Sequence, residues 1–105
     1  MRAMVIGALM LALSGCGDSP IDVSLDAAPG LDGFSSLRYL VVSSKVDSVK
    51  LNKIQVNRGN CKTFNWRGPN PLKFGQEKRG MLVCDLDQVK EVLVETDQGE
   101  YTFTF

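Results

Sequence analysis

The clearest pattern in this sequence is a period-two spacing of apolar side chains within residues 92–105, at Val92 and Val94 and again at Tyr101, Phe103 and Phe105, where threonines alternate with the aromatics. Successive side chains of a β-strand point to opposite faces, so this period predicts strands and excludes a helix here. The triplet Asp-Gln-Gly at 97–99 interrupts the alternation once, and its glycine can adopt the positive φ that a hairpin turn needs. We therefore predict a terminal hairpin that directs Tyr101, Phe103 and Phe105 to the core and the intervening threonines to solvent.

The preceding sixty residues carry the same kind of signal in shorter pieces. Apolar and β-branched runs bounded by turn formers predict strands at 37–43, 49–57, 62–66, 72–74, 80–86 and 89–96. The second run skips one position around Asn52 and Lys53, which indicates a β-bulge, and the breaker cluster at 67–71 predicts a loop. No window shows a helical period. The fold class we predict is all-β, a small antiparallel β-sandwich or partly open barrel of six to seven strands.

The amino terminus has a different composition. Arg2 precedes eleven apolar residues at 3–13, and two small residues, Ser14 and Gly15, separate that run from Cys16. Eleven residues are far fewer than the roughly 20 that a membrane-spanning helix needs. A positive start, a short apolar run and small residues before a cut site are typical of a cleaved export signal.

The four residues Leu13-Ser14-Gly15-Cys16 resemble the lipobox of bacterial lipoproteins. The resemblance implies a signal peptide at 1–15, cleavage before Cys16, a diacylglyceride on its sulfur and acylation of its amino group, and several acyl chains anchor a protein stably. Gly17 replaces the aspartate that favours inner-membrane retention, so the resemblance implies the outer membrane, facing the periplasm. The alternative is an ordinary secretory signal with a chance cysteine.

The segment after Cys16 is acidic and rich in turn formers. Residues 17–33 contain four aspartates, two prolines and no lysine or arginine, which predicts a flexible tether at 16–33 and a folded domain at 34–105. In the alternative interpretation, Ile21, Val23 and Leu25 alternate as a short edge strand that docks on the domain.

Three cysteines leave one pairing once Cys16 carries lipid. Cys61 and Cys84 would then form one disulfide, which the oxidising periplasm favours. Closing a loop of about 24 residues contributes about 3 kcal/mol. A domain of about 72 residues has a marginal core, so this contribution matters.

Basic and aromatic residues interleave along 58–74, and the candidate binding residues there are Trp66, Arg67, Arg58, Lys62 and Lys73. A tryptophan beside an arginine on a rigid loop has the composition of a protein-binding hot spot, although Trp66 could equally be a half-buried cap. Stacking aromatics with cations would suit single-stranded nucleic acid, but a periplasmic address predicts no nucleic-acid partner. The favoured interpretation places Phe64 and Phe74 in the core and leaves the basic side chains solvated.

Charge is unevenly distributed although the formal net charge is zero. Residues 34–79 contain ten basic and two acidic residues, whereas residues 80–105 contain one basic and six acidic ones. Either the two regions meet as cross-strand neighbours, or the domain presents a basic face to an anionic lipid, a glycan or an acidic partner.

The residues that commonly carry catalysis are scarce. The chain has no histidine, which removes the commonest general base and metal ligand. Asp85 and Asp87 could pair, but no further ligand cluster accompanies them, which favours a role in a turn. We predict no enzyme activity, no metal and no cofactor.

Two short stretches, 57–61 and 96–103, are similar to small uncharacterised lipoproteins, some of them carried on mobile elements, and this resemblance implies no catalytic residues. Together these observations predict a lipid-anchored, periplasm-facing interaction module. It would bind a protein as an envelope-complex component or an exclusion or immunity-type lipoprotein. The alternative is binding of an envelope glycan or anionic lipid through a basic aromatic face.

Overall fold

The computed structural model describes residues 19–29 and 36–105. These residues form nine strands: β1 (Ile21–Pro29), β2 (Ser36–Ser44), β3 (Ser48–Val49), β4 (Leu51–Val56), β5 (Thr63–Arg67), β6 (Leu72–Lys73), β7 (Glu77–Leu82), β8 (Glu91–Thr96) and β9 (Gly99–Thr104). Two 3₁₀ turns, Asn57–Gly59 and Leu86–Gln88, are the only helical segments in these ranges. The predicted all-β fold is confirmed. None of the helices in the described ranges is long and apolar enough to cross a membrane.

All strand pairs are antiparallel and fall into three sheets, none of them closed. The four-stranded sheet has the order β1-β2-β7-β5, and the three-stranded sheet has the order β4-β8-β9. Strands β3 and β6 form a short ribbon. One buried cluster joins all three, because it contains Leu40 and Val42 of β2, Val92 and Val94 of β8, and Leu72 of the ribbon.

Strand β1 corrects the predicted tether. Residues 21–29 pair with β2 along nine rows, from Ile21 opposite Ser44 to Pro29 opposite Ser36. Ile21 is fully buried, whereas Asp22 and Asp26 point outward, so the alternation of apolar side chains outweighs the acidic composition of the segment. The prediction of a flexible linker is wrong for 21–29, and the folded domain begins before residue 34. The edge-strand alternative is confirmed and extends to Pro29.

The predicted signal peptide at 1–15, Cys16 and the remainder of the predicted tether, 17–18 and 30–33, lie outside the described residues. The structure also differs from the prediction in the number of strands and in the residues at which they begin and end. The run at 49–57 divides into β3 and β4, with the expected register shift between Leu51 and Lys53. Strand β7 begins at Glu77 and ends at Leu82, earlier on both sides than predicted.

The terminal hairpin forms as predicted, with Gly99 at φ 135°. The Thr96 hydroxyl accepts the N–H of Gln98 at 3.0 Å and donates to the carbonyl oxygen of Gly99 at 2.9 Å. Tyr101 and Phe103 are half-buried. Phe105 follows the end of β9 and stays 47% exposed, so its predicted place in the core is wrong.

The disulfide between Cys61 and Cys84 is present. It joins the chain just before β5 to the chain just after β7, two neighbouring strands of the four-stranded sheet. Cys61 is buried, and its backbone also forms an isolated antiparallel β-bridge with Val56 at the end of β4. Through its disulfide and its β-bridge, Cys61 therefore connects the four-stranded sheet to the three-stranded sheet at one end of the domain.

Two asparagines that the sequence did not single out connect strands through their side chains. The Oδ1 of Asn57 accepts the N–H groups of Lys90 and Glu91 at 2.8 and 3.1 Å, and its Nδ2 donates to the Gln88 carbonyl at 2.7 Å. Asn70 exchanges two hydrogen bonds with the backbone of Leu51, at 3.0 and 2.8 Å. Both side chains thus satisfy backbone groups that would otherwise lack a partner.

Candidate functional site

The outer face of the four-stranded sheet carries aromatic and apolar side chains. Residues directly opposite each other on antiparallel strands share a face, and the pair Leu40 and Gly80 marks the buried face. The neighbouring pair, Tyr39 and Met81, must therefore point outward. Register places two outward rows across all four strands: Asp26, Tyr39, Met81 and Phe64, and next to it Ser24, Val41, Arg79 and Arg67.

We call the exposed or half-buried apolar members of this face the outer patch, which consists of Leu37, Tyr39, Phe64 and Met81. Phe64 is 48% exposed and Phe74 is 70% exposed, so the prediction that both lie in the core is wrong. Leu37 extends the patch toward the end of β2, where it pairs with Ala28. The patch lies on three different strands, so it is formed only when the sheet is assembled.

A bulge in β5 determines which side chains of that strand reach the patch. Phe64 lies opposite Met81 but Arg67 lies opposite Arg79, so β5 has one extra residue between the two pairs. Asn65 has φ 55° in this interval, and a bulge residue in this region bends the strand. As a result Phe64 and Arg67 point outward while Trp66 points toward the core.

Arg79 forms the charged border of the outer patch. Its guanidinium lies 5.0 Å from the centre of the Tyr39 ring, 3.2 Å from the Asp26 carboxylate and 3.7 Å from that of Glu77. Exposed contacts of this kind contribute little stability, about 0–1 kcal/mol each. Their effect is to orient the tyrosine ring. Arg67 lies directly opposite Arg79, and no carboxylate of the described residues forms an ion pair with it.

The outer face of the three-stranded sheet is polar by comparison. Register places Lys53, Glu95 and Glu100 in one outward row, and Gln55, Leu93 and Thr102 in the next. Leu93 is the single apolar side chain in these two rows. The two outer faces of the domain therefore differ in chemistry, and the four-stranded sheet has the one that resembles the core of a protein interface.

Trp66, one of the predicted binding residues, is half-buried and packs on Gly80. A Cβ added to Gly80 would lie 2.5 Å from the indole ring, so the ring occupies the space that this glycine leaves open. The indole N–H donates to the Thr63 hydroxyl at 3.0 Å. These contacts correspond to the half-buried cap that the sequence left open as an alternative.

The four predicted basic residues do not form one face. Lys62 and Lys73 lie near opposite ends of β7, because Lys62 accepts a hydrogen bond from Val83 and Lys73 accepts one from Gln76. The two ends of β7, Glu77 and Leu82, are five residue steps apart, or about 17 Å. Arg58 pairs with Glu91 at 2.9 Å, and its pKa is raised, first by that hydrogen bond and then by the carboxylate charge. Of the predicted set, Arg67 alone borders the outer patch.

Ion pairs between the two regions account for part of the uneven charge distribution. Three ion pairs join the basic region to the acidic carboxy-terminal region: Arg38 with Asp85 at 2.9 Å, Lys53 with Glu95 at 4.0 Å, and Arg58 with Glu91 at 2.9 Å. Two more involve β1, whose Asp22 and Asp26 pair with Lys45 and Arg79. The cross-strand interpretation is therefore confirmed for Lys53 and Glu95, which are register partners on β4 and β8, whereas Arg58 and Asp85 lie outside the strands.

The two aspartates considered for chemistry serve a turn. Asp85 is the N-cap of the second 3₁₀ turn: its backbone N–H donates to the side-chain oxygen of Gln88 at 3.0 Å, and its carbonyl accepts the Gln88 N–H at 3.0 Å. Within residues 19–29 and 36–105, no group of three or more Cys, Asp or Glu side chains could hold a metal ion.

Comparison with protein-family models, with curated proteins and with solved structures finds no match for this chain. The chemistry of its surfaces is therefore what indicates its function. Among the described residues, the outer patch is the one surface that combines a contiguous apolar group with an unpaired arginine.

Proposed function

We propose that this protein is a lipid-anchored envelope lipoprotein that faces the periplasm and works by binding another protein through the outer patch. The observation that carries the proposal is the pairing register that places Tyr39, Met81 and Phe64 side by side on an outward face. Aromatic residues, methionine and arginine are the types enriched in protein interfaces.

The residues around the patch indicate the chemistry of the partner. Arg79 already contacts the carboxylates of Asp26 and Glu77, whereas Arg67 beside it has no carboxylate partner in the described chain. A partner with an apolar surface and a carboxylate opposite Arg67 would satisfy both features. An arginine and a carboxylate can form two parallel hydrogen bonds, which fixes the orientation of the complex.

The lipid anchor gives this binding activity its place. Acylation of Cys16 would keep the domain at the membrane surface, where an envelope-complex component or an exclusion or immunity-type lipoprotein acts. Labelling with radioactive palmitate tests the anchor. Wild-type protein should incorporate label and fractionate with membranes, and Cys16→Ser should lose both properties. An unlabelled wild-type protein would contradict the anchor.

Site-specific photocrosslinking in intact cells tests the binding face. A photoreactive phenylalanine analogue at Phe64 should give a discrete adduct with an envelope protein, and Arg67→Glu added to the same chain should remove that adduct. The matched control is the same analogue at Thr102, which is exposed on a strand of the other sheet. Equal adducts at both positions, or an adduct that survives Arg67→Glu, would count against the outer patch.

The glycan or anionic-lipid alternative makes a different prediction. Binding to isolated cell wall or to anionic vesicles through exposed lysines should fall steeply as salt increases, because exposed charges are screened within about 8 Å at physiological ionic strength. Binding to the protein partner should fall much less with salt, since its apolar contacts are not screened and salt weakens only the ion pair of Arg67. A salt-sensitive association with cell wall and no protein adduct would favour the alternative.

A further inference from the structure

The covalent distance between the lipid anchor and the folded sheet is short. The chain is already ordered at Ser19, whose hydroxyl accepts the N–H of Ile21 at 3.0 Å, and the Pro20 carbonyl accepts the N–H of Lys45 at 2.8 Å. Two residues, Gly17 and Asp18, lie between Cys16 and Ser19, and the three residue steps of an extended chain span at most about 11 Å at 3.3–3.6 Å each. An acylated Cys16 therefore holds this end of the four-stranded sheet close to the lipid headgroups.

The turn between β6 and β7 lies at the same end. Ser44, the register partner of Ile21, accepts the N–H of Gly75 at 3.0 Å and donates its own N–H to the Gln76 carbonyl at 2.9 Å. Gly75 has φ 81°, which a glycine adopts without strain. These bonds fix the position of the turn beside the start of β1.

The most exposed large apolar side chain of the described residues is on this turn. Phe74 is 70% exposed, compared with 57% for Val83 at the far end of β7. Lys73 precedes it, and an exposed aromatic beside a lysine is a composition found where proteins contact lipid interfaces. Carboxylates of Asp22 and Glu77 lie at the same end of the sheet, so the charge there is mixed and electrostatic attraction is not the main term.

We propose that Phe74 inserts into the lipid interface beside acylated Cys16 and so fixes the orientation of the domain on the membrane. The inference depends on the lipid anchoring proposed above. With the anchored end at Ile21, the row of Asp26, Tyr39, Met81 and Phe64 lies five residues further along β1, about 17 Å from that end. The outer patch would then stand clear of the headgroups, accessible to a partner.

Bilayer quenching of single-tryptophan variants tests this inference. The full lipidated protein carries Phe74→Trp in a Trp66→Phe background, and the matched control carries Val83→Trp in the same background. Both are reconstituted into vesicles of phosphatidylethanolamine and phosphatidylglycerol with brominated acyl chains. The Phe74→Trp emission should shift to the blue and lose most of its intensity, at low and high salt alike, while the Val83→Trp emission should stay unchanged.

Equal quenching of the two variants, or unquenched Phe74→Trp emission from protein that floats with the vesicles, would overturn the insertion of Phe74 and leave the anchor standing. Wild-type protein that does not float would overturn the anchor and this inference together. A measurement on the unaltered chain avoids any folding defect of Trp66→Phe. Photoreactive lipids should label the peptide that contains Phe74, and labelling of the Val83 peptide in its place would contradict the inference.

Discussion

The indole ring of Trp66 packs directly on Gly80 and occupies the space that a side chain at position 80 would need. Gly80→Ala would place a Cβ 2.5 Å from the ring atoms, and the required shifts should lower the free energy of unfolding by about 1–3 kcal/mol. Urea denaturation of the oxidised protein measures this loss. A smaller ring should relieve the overlap, so the double variant Gly80→Ala/Trp66→Phe should lose less than the sum of the single changes. Additive losses would contradict the contact.

The start of β1 should contribute to stability as a core element. Ile21→Ala removes a fully buried side chain and should cost about 2–5 kcal/mol. Asp22→Ala, the adjacent control, removes an exposed ion pair with Lys45 at 3.6 Å and should cost at most about 1 kcal/mol. Denaturation midpoints of the two variants provide the test. If Ile21→Ala leaves the midpoint unchanged, β1 is not docked in solution.

The disulfide should account for a large share of the stability. Replacing both Cys61 and Cys84 by alanine should lower the free energy of unfolding by about 3 kcal/mol, since the chain that they close has about 24 residues. Reduction of the wild-type protein should have a similar effect. Alkylation of the unreduced protein should modify neither cysteine, and two reactive thiols would refute the bridge.

Asn57 should matter more than its position in a turn suggests. Asn57→Ala removes three hydrogen bonds to backbone groups and should cost about 2–3 kcal/mol, at about 1 kcal/mol for each bond. The nearby control is Asn60→Ala, at an exposed position of the same turn, with an expected change within about 0.5 kcal/mol. Asn57 has φ 51°, a conformation that glycine adopts without strain. Asn57→Gly therefore removes the three hydrogen bonds without adding backbone strain, and the difference between Asn57→Ala and Asn57→Gly gives the cost of that strain. Equal effects of Asn57→Ala and Asn60→Ala on thermal unfolding would exclude this role.

Arg67 and Lys62 should differ in their effect on partner binding. Both are exposed and basic, and both belong to the predicted binding set, but only Arg67 borders the outer patch. Arg67→Glu should reduce recovery of the crosslinked partner strongly, whereas Lys62→Glu should leave it near the wild-type level. Quantitative mass spectrometry of the adduct gives the comparison. Equal losses would point to a general charge effect.

The elements that the sequence predicted correctly are those with local signals. Alternation along 92–105 requires only neighbouring residues, and the pairing of Cys61 with Cys84 follows from counting once Cys16 is assigned to lipid. The linker prediction failed for 21–29 because it was drawn from the average composition of 17–33, which has four aspartates and two prolines, and the three alternating apolar residues at 21–25 contribute little to that average. Whether residues 21–29 form a strand depends on whether β2 is available to pair with them, and the local sequence does not contain that information.

The outer patch could not be derived from the sequence for a related reason. Tyr39 and Phe64 share it only because each is opposite the same residue, Met81 on β7. A shift of one residue in either register would turn one of them to the buried face. The predicted binding residues were instead taken from 58–74, where basic and aromatic residues are neighbours along the chain, but the fold places Lys62 and Lys73 near opposite ends of β7 and leaves only Arg67 of the set beside the patch.

The position of β1 has a mechanical consequence. If the acyl chains hold Cys16 in the membrane and a partner holds the outer patch, tension between them passes along β1 from its first residue. Such a load runs parallel to β1. For β1 to slide past β2, the hydrogen bonds along all nine register pairs would have to break together. Rows loaded from the side would instead separate one at a time. With the chain anchored and bound in this way, the edge strand would transmit force from the membrane into the sheet without its pairs separating one by one.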